Sequence, residues 1–192
     1  MPVASSRRVL VGTLGYQFLR DYSLGPKLLP DLQALEWPPG VDVEEMNWGP
    51  VAIVFHFEAL ETPYDRVVIL TASQRGRPIG TLTLYRWGGT LPPQEEIQDR
   101  VSEAVTGVIS LDNLLVIGEH FRIWPDEVLI VDVEPGIEEA GDIFTPPVES
   151  LVPTVISTVK QVALNDLDAL PPLQELKGET IRLAADVTKN GK

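Results

Sequence analysis

An α/β domain with a largely parallel sheet and helices on both faces is the fold class this sequence predicts. Three observations carry the prediction. Continuous apolar runs at Val9 to Val11, Arg66 to Ala72 and Glu127 to Val133 have the character of central strands covered on both sides. Stretches with apolar residues at helical spacing lie between and after them. A chain of 192 residues, 44% hydrophobic, can bury one sizeable core without a second domain.

The elements follow in chain order. "VLVG" is a short strand closed by glycine, and in "DYSLGPKLLPDLQAL" the residues Leu28, Leu29, Leu32 and Leu35 recur at helical spacing. "VDVEE", Val41 to Glu45, alternates apolar and acidic residues like a strand wet on one side, and "RVVILTA" is the next strand. "GTLTLYRW" alternates Leu82, Leu84 and Trp87 as a further strand. "PPQEEIQDRVSEAV" is an acidic amphipathic helix with Ile97, Val101 and Val105 on one face. Ser110 is placed to cap "SLDNLLVIGEHF". "EVLIVDV" is the last strand, stopped by the turn signal "EPG". In "TPPVESLVPTVISTVKQVAL", Thr145 and Pro146 read as N-cap and first turn, Val148, Leu151, Val152, Val155, Ile156 and Val159 form a broad apolar stripe, and Pro153 should kink the helix. The domain is read as 1–164. The polar tail 165–192 is expected to lack regular structure, apart from a short helix around Glu179 to Ala185.

Composition excludes several functions. Fifteen Lys and Arg against 28 Asp and Glu give a formal net charge of -13, which repels nucleic acid and anionic membrane surfaces. There is no Cys, so disulfides, thiolate metal ligands and cysteine nucleophiles are absent. No apolar run approaches the roughly 20 residues of a membrane-spanning helix. The paired arginines of "SSRRVLVGTLG" suggest an export signal only superficially, because the apolar part is broken by Gly12 and Gly15 and no cleavage site follows. A cytoplasmic location is expected.

In a parallel sheet, ligands bind outside the C-terminal ends of the strands. Three segments end there: "GTLGYQFLRDYSLG", "LTASQRG" and "VDVEPG". Gly12, Gly15 and Gly25 do not have the spacing of a dinucleotide fingerprint, so no nucleotide is implied. Ser23 has no neighbouring base and lies outside any G-x-S-x-G elbow. His56 among apolar neighbours and His120 beside Glu119 suit structural roles, and two histidines cannot build a His-rich metal site. Trp48, in "NWGP", sits in a loop where it could be exposed as an anchor for a protein partner.

The order of these segments resembles the hydrogenase maturation endopeptidases, which trim the C-terminus of the large subunit of nickel-iron hydrogenases. "VLVGTLGYQFLRDYSLG", "VDVEEMNWGP", "DRVVILTASQRGRPIGTL", "VISLDNLLVI", "WPDEVLIVDVEPG" and "FTPPVESLVPTVISTVKQVAL" follow the family's landmarks from about Arg8 to Leu164. The resemblance implies a single three-layer domain of the phosphorylase/hydrolase-like type, and a protein partner such as a hydrogenase large subunit. It further implies a metal cluster of Glu, Asp and His, at positions that here carry Tyr22, Thr71 and Asp112. Glu45, with Asn47 and Trp48, falls where the family recognises its substrate. A phenol and a threonine hydroxyl are poor ligands for a divalent ion, so no cofactor is expected unless the site is rebuilt. Two functions follow. One is a degenerate, non-cleaving member that binds a partner during assembly. The other is an active endopeptidase using a carboxylate pair formed by Asp21 and Asp112. The structural alternative makes Asp21 a turn or helix-start residue and Asp112 a first-turn residue of the helix that follows Ser110.

Overall fold

Leu10, Val67 and Val128 lie side by side on three neighbouring parallel strands, and none of them is exposed by more than 1%. The computed structural model describes residues 7–108 and 110–179. Within them, strands β1 (Val9–Thr13), β2 (Val41–Glu45), β3 (Arg66–Ala72), β4 (Leu82–Trp87), β5 (Glu127–Val133) and β6 (Gln174–Leu176) form one sheet in the order β2-β1-β3-β5-β4-β6. β2, β1, β3 and β5 are parallel, β4 runs antiparallel to β5, and β6 is parallel to β4.

The two-residue period of the strands divides the core into two layers. Val9, Val11, Val68, Leu70, Leu129 and Val131 face α1 (Leu24–Gln33) and α5 (Pro146–Leu164). Leu10, Val67, Ile69, Val128 and Ile130 face the opposite layer, formed by α2 (Pro50–Glu58), α3 (Gln94–Val105) and α4 (Leu111–His120). Burying each such side chain is worth about 1.5–3 kcal/mol, which is why both faces must be covered. This is the expected three-layer architecture. Arg66 fastens its lower edge: fully buried, it donates to Glu127 at 2.6 Å and to the carbonyls of Val162 and Asn165 at 2.7 and 2.6 Å, where α5 ends.

Three departures from expectation have local causes. α2 was not anticipated, because "PVAIVFHFE" is apolar on both sides: Ile53 and Val54 face the core while Val51 and Phe55 stand in solvent. Its start is set by Gly49, at φ 87°, followed by Pro50 in the first turn. Thr145 precedes α5 as expected, but its hydroxyl makes no cap and donates to Asp21 instead, at 2.6 Å. The tail is not without structure: β6 pairs with β4, Leu176 is buried, and Leu167, Leu170 and Leu173 pack on the core. From residue 180 on, the short helix expected around Glu179 to Ala185 lies outside the described residues.

β1 leads through α1 to β2 on one side, and the chain then returns to place β3 on the other side of β1. That reversal opens a crevice above the C-terminal ends of β1 and β3, the usual ligand position in such sheets. Its first loop is held against α1 by Gly25, where an added Cβ would stand 2.5 Å from Leu14 O and 2.9 Å from Leu14 N. Gly25→Ala is therefore expected to cost about 1–3 kcal/mol in urea unfolding through backbone displacement. A change below 0.5 kcal/mol, roughly the scale of neutral surface substitutions, would show that the loop yields freely.

Candidate functional site

Five side chains, from the ends of β3 and β5 and the start of α4, meet above the sheet as one charged network. Thr71 and Asp132 are register partners on these strands, so Asp132, fully buried, aims its carboxylate at the loop that follows β3. That loop reads "SQRGR", and its two arginines fold back over the strand ends. Arg75 Nε donates to Asp132 at 2.8 Å, and its terminal nitrogen donates to Asp112 at 2.9 Å. Arg77 donates to Glu134 at 2.8 Å and to Asp132 at 3.2 Å. The Glu134 carboxylate also accepts the backbone N–H groups of Arg75 and Gly76 at 2.9 to 3.0 Å, which fixes the loop as well as its side chains. Tyr85 lies beneath both guanidinium groups, 5.4 and 5.8 Å from its ring centre.

Electrostatics in this network oppose one another. Burial pushes the Asp132 carboxyl up to about 6, against the pull of Arg75, Arg77 and the Ser73 N–H toward the ionised form. Burial also works against the Arg75 charge, but Asp112 and Asp132 more than offset it and hold the guanidinium above its ordinary value. Two cations and three carboxylates interlock, and each guanidinium is bound on two sides.

The residues singled out from the sequence take separate places around this network. Asp112 is in the first turn of α4, whose N-cap Ser110 accepts the Asn113 N–H as expected. Its carboxylate belongs to Arg75. Asp21 is 1% exposed in the turn before α1 and makes no bond to Asp112: it accepts the N–H of Gly136 at 2.8 Å, the N–H of Thr145 at 2.7 Å and the Thr145 hydroxyl at 2.6 Å. It thus clamps the loop between β5 and α5. Tyr22 points its hydroxyl toward Gln74 at 3.5 Å, and its phenol is pushed up to about 12 by burial and by Glu138, Glu134 and Asp21. It stays protonated at neutral pH. Thr71 is 3% exposed within β3.

The positions that resemblance assigns to a metal therefore do not fit one. A protonated phenol, a buried threonine and an ion-paired aspartate leave no convergent donor set, and a guanidinium stands where a cation would have to approach Asp112. Among the described residues, no three His, Asp or Glu side chains gather in a way that could hold a metal ion.

On the neighbouring side of the crevice, Glu45 ends β2 and accepts the Asn47 amide at 2.7 Å, while the Asn47 oxygen accepts the Gly15 N–H at 3.0 Å. These two residues tie the loops after β1 and β2 together. Trp48 is different. Half exposed, it rests edge-on against His56 at 5.0 Å and lines a shallow groove of about 370 Å³ with Val51, Phe55 and Val105. His56 lies 3.5 Å from Glu44, and Ser23 accepts the Leu19 N–H at 2.8 Å, both structural arrangements.

Arg75, Arg77, Asp132 and Glu134 escaped the sequence reading although the segments carrying them were placed at the strand ends. The available signal was Asp132 itself, a charge inside an apolar strand run, which demands a buried partner.

No family model and no curated protein matches the sequence. Solved structures do match. The hydrogenase maturating endopeptidase HybD from E. coli is 20% identical, with 79% of this chain and 89% of that chain covered and a TM-score of 0.60. The endopeptidase HycI from Escherichia coli is 17% identical, with 91% and 99% covered and a TM-score of 0.57. A NiFe hydrogenase maturation protease HycI from Thermococcus kodakarensis is 16% identical, with 84% and 96% covered and a TM-score of 0.58. Among the described residues no helix is long and apolar enough to cross a membrane. From the strand order to the closing helix, this chain has the fold of the hydrogenase maturation endopeptidases.

Proposed function

We propose that the protein is a non-cleaving member of the hydrogenase maturation endopeptidase family, a cytoplasmic binding factor that engages a protein partner such as a hydrogenase large subunit during assembly. The observation that carries this reading is the Arg75 guanidinium bound between Asp112 and Asp132. Of the routes to peptide hydrolysis open to this site, one needs a metal to polarise the carbonyl and activate water, and the other needs a carboxylate free to act as a base. The metal positions do not suit a divalent ion. Asp21 is wholly engaged by Gly136 and Thr145, and Asp112 is held by Arg75, so the paired-carboxylate alternative lacks a free base. A binding role is supported by the loops tied together at the strand ends and by the half-exposed Trp48.

Glu45 and Asn47 support the partner surface by positioning the loop, and Trp48 is its contact residue. In Trp48→Ala, partner affinity is expected to fall tenfold or more while the melting temperature shifts by less than about 3 °C, since the side chain is half exposed. Co-purification of the tagged wild-type protein and variant with the hydrogenase large-subunit precursor, followed by thermal melting of each, checks this. A large loss of stability with unchanged partner recovery would make Trp48 a core residue and remove the docking assignment.

A further inference from the structure

Three loops at the strand ends present four large apolar side chains to solvent: Phe18, 69% exposed, Ile79, 47%, Ile137, 75%, and Ile143, 74%. Single exposed apolar residues need no explanation, but a group of them does. These four belong together. The segment at Phe18 is bonded to the loop holding Ile137 and Ile143, through Gly141 N–H to Phe18 O and Arg20 N–H to Gly141 O, both 2.9 Å. Arg20 also donates to the carbonyl of Ile143 at 3.3 Å. Ile79 reaches to within 3.8 Å of where a Cβ on Gly136, the neighbour of Ile137, would stand.

The backbone holds this rim in an unfavourable form. Phe18 and Arg20 have φ of 58° and 48°, a region that residues with a Cβ occupy only when the surroundings force it. At Phe18 the ring gains no burial in return. Such strain persists only where it is over-determined, and here Asp21, the Arg20–Glu139 pair at 2.8 Å and the Lys27–Asp142 pair at 3.2 Å all fasten the two loops. A rim fixed in advance loses little entropy when something settles on it.

Charge identifies the occupant. The cations nearest this rim, Arg20, Lys27 and Arg77, are each paired to a carboxylate, and beyond those pairs Glu138 and the buried Asp21 stand close enough to add to the effect of burial in pushing the Tyr22 phenol up. The surface is therefore apolar within a negative field. With a net charge of -13 on the chain, a second copy, an anionic membrane or nucleic acid would be repelled. We propose that the rim of Phe18, Ile79, Ile137 and Ile143 binds a short segment of a partner protein in which apolar residues are flanked by Lys or Arg.

This inference rests on the partner-binding reading and specifies the chemistry the partner brings. The test uses the full chain and an arrayed library of nine-residue peptides with Leu, Ile or Phe at the centre and either Lys/Arg or Asp/Glu flanks, with the best binders titrated by fluorescence anisotropy. Basic-flanked peptides should bind, at least tenfold tighter than their acidic-flanked counterparts, and weaken as salt rises. Ile137→Ser with Ile143→Ser should lower that affinity tenfold or more at an unchanged melting temperature. Phe18→Gly should also lower it while keeping or raising the melting temperature, because glycine relieves the positive φ. Equal binding of acidic peptides, no binding of any peptide, unchanged affinity in both variants, or a wild-type dimer in sedimentation that the serine variant abolishes would each overturn the proposal. Cleavage of a hydrogenase precursor would instead overturn the non-cleaving reading and leave selective peptide binding at the rim standing.

Discussion

Arg75→Met should destabilise the protein by about 3–5 kcal/mol at pH 7.5, the scale seen when one partner of a buried ion pair is removed. The variant keeps the apolar stem over Tyr85 but leaves Asp132, fully buried, with Arg77 as its one remaining cation. The loss should shrink as pH falls. Asp132 has its carboxyl raised from 3.8 to about 6, so between those values the folded state holds a proton that the unfolded state has released. Its contribution to stability is then complete at low pH and is lost as pH rises through about 6. Removing Arg75 takes away a pull toward ionisation and extends that window upward. The difference between wild type and variant in urea unfolding should therefore be smaller at pH 5 than at pH 7.5. A difference independent of pH would mean that the methionine harms packing rather than the charge of Asp132.

Asp21→Ala is the second change expected to be large. It strands the N–H groups of Gly136 and Thr145 and the Thr145 hydroxyl around a site that is 1% exposed. Bonds to a charged acceptor are worth about 1.5–3 kcal/mol each, so a total loss of about 3 kcal/mol or more is expected after partial relaxation. Asp21→Asn should be nearly as harmful, because its NH2 group faces donors where the second carboxylate oxygen accepted them. This pair of variants separates a clamp from a catalytic acid. Denaturant midpoints near wild type for the asparagine variant, with partner processing lost, would restore Asp21 to a chemical role.

The central strands were legible because strands covered on both faces must be apolar at every position, as "RVVILTA" and "EVLIVDV" are. α2 was hidden by the same logic, since its outward residues Val51 and Phe55 are apolar too and erase the helical contrast. β6, three residues long, carries too little periodicity to register, and is made a strand by β4 rather than by its own sequence.

The site was legible in outline only. Its three loops could be placed from the strand ends, and the poor quality of Tyr22 and Thr71 as metal ligands follows from residue type, whereas the engagement of Asp112 by Arg75 does not. What fills the space instead depends on register. Only the pairing of Thr71 with Asp132 brings the β5 carboxylates under the "SQRGR" loop, and no local pattern in either segment announces that meeting. The role of Asp21 was missed for the same reason: its partners, Gly136 and Thr145, lie more than 110 residues away in the chain.

The proposal that the Arg75 guanidinium keeps a divalent ion from Asp112 is tested most directly by calorimetric titration of the protein with nickel at pH 7.5. The account predicts no saturable heat up to millimolar nickel, about the affinity that one or two carboxylates provide in water. Stoichiometric binding at micromolar nickel, abolished by Asp112→Asn, would contradict it and make the crevice a metal site.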